Sequence, residues 1–298
     1  MQVGFGIPNN FGIDDPNDLV KLAQAAEGLG YNSVWVREHL FHSSYVEERL
    51  GGKPYHDALT VLIAIGQATE KVRLGTSVLV LPWHDPARLG KMVATLDQLS
   101  YGRIDLGIGV ATTQDEFENL GVDFHTRGKR TDDMLAALQA LWTQEVPEHQ
   151  GEFYRYSGLK FSPKPYQKPY PPILVGGYSK AAFRRIVQFG DGWHTLRRSA
   201  KQFAEGLAEI NRRMEEAGRD PKSLTNSITI SFDFSGKAPK EAPEDRLDLG
   251  GTDDDMAETV RAYRDAGLDE IVVSIGTMDI AKHHDALNHF MEKVWPKV

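Results

Sequence analysis

The sequence of 298 residues predicts an α/β protein with a single (β/α)8 TIM barrel, forming one domain over residues 1–298. Eight short apolar runs alternate with segments whose apolar residues recur at helical spacing, which is the order of elements in such a barrel. No linker-like change in composition interrupts the series. Right-handed crossovers would make all the strands parallel. A doubly wound sheet is the second fold compatible with this alternation.

In the first half of the chain, the predicted strands are short, apolar and rich in β-branched residues. Gly30 is expected to end the first helix, and Pro86 to open the third, since proline is tolerated in a first turn. Residues 39–56 are expected to form a long polar loop, and a second polar loop is expected after residue 108. The strands are predicted at residues 3–7, 33–36, 72–81 and 104–108, and the helices at 18–29, 57–69, 86–99 and 129–142.

Residues 150–172 interrupt the alternation and are expected to form an insertion before the fifth strand. The pattern of residues 151–161 is that of a small hairpin, and five prolines follow it. Proline fixes φ and lacks an N–H donor, so the rest of this stretch is expected to be extended loop. After the insertion, strands are predicted at 173–175, 192–195, 224–234 and 270–275, and helices at 179–189, 200–217, 252–266 and 280–294.

The composition excludes several classes of function. The chain has 34 Lys and Arg against 42 Asp and Glu, a net charge of −8, which disfavours nucleic acid and anionic membranes as partners. It has no cysteine, which excludes thiolate nucleophiles, Cys-ligated zinc and iron–sulfur clusters. No apolar run reaches the length of a membrane span, and the N-terminus lacks the features of a signal peptide. A cytoplasmic protein is expected.

In a (β/α)8 barrel, functional side chains come from the carboxyl ends of the strands and from the loops that follow them. No lysine occupies these ends, which disfavours Schiff-base chemistry. Glu38 and His39 follow the second strand, and His39 could act as an acid or base near neutral pH. Together with His194 and Asp233, they could instead hold a metal ion as in metal-dependent isomerases, although no paired-histidine spacing supports this.

Glycines end two neighbouring predicted strands. Gly107 and Gly109 lie at the end of the fourth, and residues 176–179 join the fifth to the next helix. Glycines there let a backbone approach a ligand closely, and the amides at a helix N-terminus form an anion site suited to phosphate. The alternative interpretation is that these glycines only turn the chain.

Two further features concern the same end of the predicted barrel. Residues 75–78 place small polar side chains inside an apolar strand, so the chain is expected to bend or bulge there. Arg127 and Arg130, near the start of the fourth helix, could bind an anion or could be solvated residues of a first turn. With His39, these features suggest a phosphorylated planar cofactor lying across the mouth.

Five segments, in this order, resemble the luciferase-like family of flavin- and deazaflavin-dependent oxidoreductases over essentially the whole chain. The similarity is greatest to the branch that uses coenzyme F420, a deazaflavin that gives and takes hydride. The segments are SVWVREHL (33–40), KVRLGTSVLVLP (71–82), DPARLGKMVATLDQLSYGRIDLGIGV (85–110), EFENLGVDFHTRGKRTDDMLAALQALW (116–142) and PPILVGGYSKAAFRRIVQFGDGWH (171–194).

The resemblance implies roles for individual residues. His39 would be the catalytic histidine, and the bond between Ser77 and Val78 would be a non-prolyl cis peptide supporting the central ring of the cofactor. No metal is implied. After strand 104–108 many relatives continue with glycines, which this chain replaces at 110–113. The implied cofactor-binding residues are Ser77, Val78, Gly107, Gly109, Val110, Gly176, Gly177, Tyr178 and Ser179.

The resemblance also implies an activity. The lead hypothesis is hydride transfer between coenzyme F420 and a small organic substrate, with His39 donating or accepting the proton. The alternatives are an FMN-dependent monooxygenase that uses oxygen, with reduced FMN from a separate reductase, and a barrel that binds a flavin without turnover. A homodimer is expected. The loops at 40–56, 150–172 and 235–251 are expected to select the substrate.

Overall fold

The computed structural model describes residues 1–234, 236 and 248–298. Most of the loop 235–251, one of the three expected to select the substrate, lies outside these residues. The strands are β1 (Gln2–Gly6), β2 (Ser33–Val36), β3 (Arg73–Thr76), β4 (Leu79–Val80), β5 (Ile104–Gly109), β6 (His149–Gln150), β7 (Arg155–Tyr156), β8 (Ile173–Gly176), β9 (Gly192–Leu196), β10 (Thr225–Phe232), β11 (Asp248–Leu249) and β12 (Glu270–Ser274). The α-helices are α1 (Pro16–Gly28), α2 (Ser44–Leu50), α3 (Ala58–Ala68), α4 (Pro86–Leu99), α5 (Gln114–Asn119), α6 (Arg127–Thr143), α7 (Lys180–Phe189), α8 (Ala200–Glu216), α9 (Asp253–Asp265) and α10 (Ile280–His289).

Eight parallel strands close into a barrel, and the helices pack around it. Around the ring the order is β1, β2, β3, β5, β8, β9, β10 and β12, and β12 pairs with β1. Ser227 in β10 pairs with His194 in β9 on one side and with Glu270 in β12 on the other. The prediction of a (β/α)8 barrel is therefore confirmed, and the doubly wound alternative is wrong. The predicted hairpin is present as β6–β7, which pair antiparallel, but it spans residues 149–156 and so begins one residue before the predicted insertion.

Aspartates begin several of the outer helices. Asp15 accepts a hydrogen bond from the Asn17 amide before Pro16 starts α1. Asp85 does the same for the Arg88 amide, with Pro86 in the first turn of α4. Such caps satisfy amides that have no partner within the helix. Among the described residues, no helix is long and apolar enough to cross a membrane.

The sequence prediction missed two short helices. The expected polar loop 39–56 contains α2, and the loop after β5 contains α5. These helices have seven and six residues, fewer than two turns, so their apolar residues recur too few times to reveal a period. The predicted strand 72–81 is divided into β3 and β4, which agrees with the bend expected at residues 75–78. The predicted last helix ends at His289, and a π-helical turn continues it over Phe290–Val294.

The interior of the barrel contains buried ionisable groups. Arg73 forms a bidentate ion pair with Asp105, with Nη2 to Oδ1 at 2.5 Å and Nε to Oδ2 at 2.6 Å. Glu270 accepts a hydrogen bond from the Ser33 hydroxyl, which in turn accepts one from Trp35 Nε1 at 2.6 Å. Burial raises the pKa of Glu270 to about 7, and the hydrogen bond from Ser33 only partly opposes this.

Candidate active site

The peptide bond between Ser77 and Val78 is cis, as the resemblance implied, and it separates β3 from β4. The chain is tied on both sides of this bond. Before it, the Thr76 hydroxyl donates to the carbonyl of Gly107 in β5 at 2.7 Å. After it, the Val80 amide donates to Oε2 of Glu38 at 2.6 Å. The bend in the third barrel strand is thus held by the strands on either side.

Three of the predicted cofactor-binding glycines surround this bend. A Cβ atom on Gly107 would lie 1.8 Å from the Thr76 carbonyl oxygen, and one on Gly109 would lie 2.5 Å from Cγ2 of Val78. At Gly176 it would lie 3.2 Å from Cγ1 of Val78. At these positions, atoms of Thr76 and Val78 already occupy the space that a side chain would need. The role of these glycines in binding a cofactor stays a prediction.

Beneath the cis peptide, Ser77 is joined to a buried histidine. Its Oγ lies 2.7 Å from Nε2 of His194, whose Nδ1 lies 2.7 Å from the hydroxyl of Ser227. The imidazole also stacks on Trp35, with ring centroids 4.5 Å apart. Burial, together with the positive charge of Arg37, lowers the pKa of His194 to about 3. His194 is therefore a neutral supporting residue with both ring nitrogens occupied, an arrangement that does not suit a metal ligand.

His39 is paired with a carboxylate that was not singled out from the sequence. Nδ1 of His39 lies 2.6 Å from Oε2 of Glu116. Glu116 also accepts hydrogen bonds from the Leu40 and Phe41 amides at 3.0 and 3.2 Å and from the Thr113 hydroxyl at 2.8 Å. Burial alone would raise the pKa of Glu116, but the hydrogen bond and charge of His39 and the other donors lower it overall. The carboxylate is ionised, so Nδ1 carries a proton and Nε2 remains for acid or base chemistry.

The surroundings of His39 are aromatic and partly open to solvent. Its ring centroid lies 5.5 Å from that of Tyr55, 5.9 Å from Trp83 and 6.1 Å from Tyr45. The side chain is 19% exposed, whereas that of Glu116 is fully buried. Among the described residues, no group hydrogen-bonds Nε2 of His39. The imidazole is held from one side and accessible from the other, as a proton donor or acceptor requires.

Glu116 lies in α5, within the stretch after β5 that is predicted from the sequence to be a polar loop. One signal was available, because Thr113 precedes two acidic residues, a pattern typical of the start of a helix. That signal predicts a helix at this position, but it does not predict the contact between Glu116 and His39. The contact with His39 joins loops 77 positions apart in sequence, and neither hydrophobic periodicity nor a local motif reports on such a pair.

The three charged residues whose roles the sequence left open have local partners. Glu38 accepts from Nε2 of His84 at 2.8 Å as well as from Val80. The Arg127 guanidinium lies 3.7 Å from the centroid of the Phe124 ring, and that of Arg130 lies 4.4 Å from Phe153. Within the described ranges, no group of three or more His, Cys, Asp or Glu is arranged to hold a metal ion.

The turn from β8 into α7 presents a helix N-terminus to solvent. Gly177 is exposed and has φ of +106°, which favours glycine. Ser179 caps the helix by accepting from the Ala182 amide at 3.1 Å. The amides of Lys180 and Ala181 have no hydrogen-bond partner among the described residues. Tyr178 braces the turn, because its hydroxyl donates to the carbonyl of Gln202 at 2.8 Å. This arrangement suits an anion such as phosphate.

A cavity of about 710 Å³ opens at the same end of the barrel, on the side of β10 and β12. Tyr45 lines it and also contacts His39, so the cavity and the histidine share a wall. Its volume is in the range of sites for drug-sized ligands. The end of β10 and the loops after β1, β2, β9, β10 and β12 line it, and the lining residues include Phe11, Tyr45, Arg49, Arg197, Phe232 and Ile275.

A closed (β/α)8 barrel with a non-prolyl cis peptide, a histidine–carboxylate pair and an exposed helix N-terminus at one end has the features of a barrel enzyme whose active site lies at that end. Comparison with known proteins identifies the family. The luciferase-like monooxygenase family model matches residues 1–287, and the chain belongs to this family. The resemblance inferred from the sequence is confirmed. The family comprises oxidoreductases and monooxygenases, so the protein is an enzyme of this kind.

The curated relatives include a protein with a stated activity. Over 211 residues the chain is 33% identical to an uncharacterized protein of Mycobacterium tuberculosis, which covers 67% of this chain and 72% of that protein. Over 221 residues it is 30% identical to the FMNH2-dependent dimethylsulfone monooxygenase of Pseudomonas putida, covering 73% of this chain and 59% of that enzyme.

Solved structures share the fold at lower identity. A monooxygenase from Streptomyces bottropensis superposes with a TM-score of 0.81 at 22% identity, covering 99% of both chains. An F420-dependent secondary alcohol dehydrogenase superposes with a TM-score of 0.83 at 18% identity, covering 100% of this chain and 98% of that one. Enzymes named for FMN and for F420 therefore both occur among the proteins that this chain is similar to.

Proposed function

We propose that the protein transfers hydride between coenzyme F420 and a small organic substrate at the mouth of the barrel. The observation that carries the proposal is the pairing of His39 Nδ1 with ionised Glu116, which leaves Nε2 for the proton that accompanies a hydride. The preceding residue, Glu38, holds β4 immediately after the cis peptide. The proton-handling group and the bend in the barrel are therefore fixed relative to each other.

The residues at the mouth fit a deazaflavin or flavin. Two unpartnered helix amides and the exposed turn at Gly177 are suited to its phosphate. Ser77 and Val78 would lie under the ring system, and Val110 would lie beside it after β5. When bound, F420 supplies a carbon that gives and accepts hydride. The residues expected to hold it are Ser77, Val78, Gly107, Gly109, Val110, Gly176, Gly177, Tyr178 and Ser179.

The chain's own contribution is to bind, orient and move a proton. If the substrate is a carbonyl compound, hydride addition at carbon leaves negative charge on oxygen, and a proton on Nε2 of His39 would neutralise it. Glu116 stabilises the positive charge on that imidazole and fixes the orientation of the ring. In the reverse direction, Nε2 would accept the hydroxyl proton as hydride leaves.

A titration tests the proposal. The protein is titrated with F420 and with FMN, each oxidised and reduced, and binding is followed by fluorescence. We expect micromolar binding of F420 and substrate-dependent oxidation of its reduced form. Micromolar binding of neither cofactor would contradict the proposal. Binding without a substrate-dependent rate over a substrate panel would favour a barrel that only holds the cofactor.

The second candidate is an FMN-dependent monooxygenase, and the similarity to the dimethylsulfone monooxygenase favours it. This activity needs reduced FMN, which a separate reductase would supply. It predicts that oxygen uptake depends on both reduced FMN and substrate, whereas hydride transfer from F420 requires no oxygen. A homodimer is proposed for either activity, and sedimentation of the full chain tests it.

A further inference from the structure

Arg49 lines the cavity and has no carboxylate partner among the residues that the structure describes. Its guanidinium lies over the rings of Phe11 and Tyr45, with Cζ 5.1 and 5.2 Å from the two centroids. One terminal nitrogen donates to the carbonyl of Asn10 at 3.0 Å. Its Nε is buried and has no hydrogen-bond partner among the described residues. Because this Nε is enclosed, an acceptor in the cavity would reach the guanidinium through its terminal nitrogens.

A second arginine converges on the same loop. Arg37, directly after β2, donates to Oδ1 of Asn10 at 3.5 Å and to the Ser274 hydroxyl at 3.3 Å, and both partners are neutral. Burial lowers the pKa of Arg37, and the positive charges of Arg49 and Arg197 lower it further. Among the described residues, no carboxylate lies within ion-pair distance of Arg37 or Arg49. Asn10 thus joins two guanidinium groups whose charge is not neutralised by an ion pair.

Within the described part of the chain, the acidic side chains that line the cavity are exposed. Asp233 and Asp285 line it and are exposed, as is Lys282, whereas Arg49 is half-buried. These two carboxylates limit the excess of positive charge, which favours a ligand with a single negative charge over a dianion. Much of the remaining wall is aromatic or aliphatic, formed by Phe11, Tyr45, Phe232, Phe234, Ile275 and Ala286.

We propose that this cavity binds the carboxylate of an organic ligand with an apolar or aromatic body, with Arg49 as the direct partner and Arg37 adding positive charge. The planar guanidinium matches a carboxylate in geometry, and the aromatic wall matches the body. The inference rests on the proposed function, because it names the class of substrate that would bind at the same site. The carboxylate belongs either to the substrate or to a side chain of the cofactor.

Matched acid and amide pairs test the inference without turnover. The full chain is titrated by calorimetry with phenylacetate, cinnamate and hexanoate, and with the neutral amide of each. For at least one pair we expect the acid to bind about tenfold or more tighter than the amide, which is the effect of one charge-assisted hydrogen bond. Equal affinity within every pair, or no binding of any acid, overturns the inference.

Substitutions locate the effect. Arg49→Met should abolish the difference between acid and amide, and Arg49→Lys should retain part of it. Arg212→Met, which removes an exposed arginine of α8 that lies outside the cavity, should bind like the original protein. An unchanged acid preference in folded Arg49→Met overturns the inference. If circular dichroism shows that Arg49→Met does not fold, the inference is tested by the acid and amide affinities of Arg49→Lys and of the original protein.

Cofactor titrations distinguish the two sources of the carboxylate. If Arg49→Met binds F420 and FMN as the original protein does, the carboxylate is that of the substrate. If the variant binds F420, whose side chain carries carboxylates, about tenfold more weakly and binds FMN, which has no carboxylate, unchanged, the carboxylate is that of the cofactor. If the original protein binds neither cofactor, the proposed function fails, while the acid and amide comparison still decides the present inference.

Discussion

Nδ1 of His39 lies 2.6 Å from Oε2 of Glu116, and this contact joins the loop after β2 to the loop after β5. Glu116 is enclosed by the Leu40 and Phe41 amides and the Thr113 hydroxyl, so its position is fixed independently of any ligand. The imidazole is therefore oriented before a substrate arrives. Preorganisation of this kind lowers the cost of proton transfer, because no side chain has to be ordered at the moment of reaction.

Replacing His39 should separate binding from turnover. In His39→Ala we expect kcat to fall by about 10²- to 10⁴-fold, the usual contribution of general acid–base catalysis, with the cofactor dissociation constant unchanged. Steady-state kinetics and a cofactor titration measure the two quantities. His42→Ala is the matched control, since His42 is an exposed histidine that contacts Glu47 at 3.1 Å. An unchanged kcat in His39→Ala would remove this histidine from the mechanism.

Replacing Glu116 should affect the rate through His39. Glu116→Gln keeps an oxygen that can accept the loop amides but loses the negative charge, so we expect kcat to fall roughly tenfold or more, and less than in His39→Ala. In the double variant, the Glu116→Gln change should add little to the loss caused by His39→Ala. Cofactor affinity should not change. If the fold-loss in the double variant equals the product of the two single-variant losses, Glu116 acts independently of His39.

Alanine in place of the β5 glycines should destabilise the fold to different degrees. Gly107→Ala brings Cβ within 1.8 Å of a backbone carbonyl oxygen and should cost about 3 kcal/mol or more of unfolding free energy. Gly109→Ala meets only the end of the Val78 side chain, at 2.5 Å, and should cost about 1–3 kcal/mol. Urea unfolding measures both.

Two variants control this comparison. Gly28→Ala in α1 has nothing within 4 Å of the new Cβ and should leave stability unchanged or raise it by up to about 1 kcal/mol. Val78→Ala should recover part of the loss when combined with Gly109→Ala, because it removes the atom in conflict. If the losses of unfolding free energy in Val78→Ala and Gly109→Ala are strictly additive, the close approach of the new Cβ to Val78 is not the cause of the loss in Gly109→Ala.

Glu270 should make the stability of the protein depend on pH. Its pKa is raised from 4.5 to about 7 in the folded protein. Its stabilising contribution to the unfolding free energy is therefore fully present below pH 4.5 and is lost as the pH rises through 7. Glu270→Gln remains neutral and should match the original protein at pH 4.5. Above pH 7 it should be more stable by up to about 3 kcal/mol.

Urea unfolding between pH 4.5 and 8 measures the unfolding free energy of both proteins. Glu215→Gln, at an exposed position of α8, is the control and should show no such dependence. A difference between Glu270→Gln and the original protein that stays constant over this range would contradict the prediction.

The sequence predicted the barrel because long periodic segments report burial directly, and it predicted a bend because small polar residues at 75–78 interrupt an apolar strand. The cis bond was predicted only through the resemblance to a known family. It did not predict α2 or α5, which are too short to show a period. Nor could it tell what fills the space beside the glycines. A glycine indicates that a side chain would not fit, and only the structure identifies Val78 and the Thr76 carbonyl as the neighbours.

The partner of His39 was missed for a different reason. Glu116 becomes significant only through a contact between two loops, and its charge and position in the sequence resemble those of any solvated residue at a helix start. His194 shows the converse case. It was considered as a metal ligand because it ends a strand, but complete burial and two hydroxyl partners make it a neutral support for Ser77.

The short helix α5 constrains how this enzyme can diversify. Asp115 binds the Ser44 amide at the start of α2 at 2.9 Å, while its neighbour Glu116 holds the imidazole. Adding or deleting one residue between Gly109 and Asp115 would change the length of the segment that places both carboxylates, and would shift them together relative to α2 and His39. New substrate ranges are therefore expected to arise through length changes in other loops, such as 150–172, while the segment between β5 and α5 keeps a fixed length.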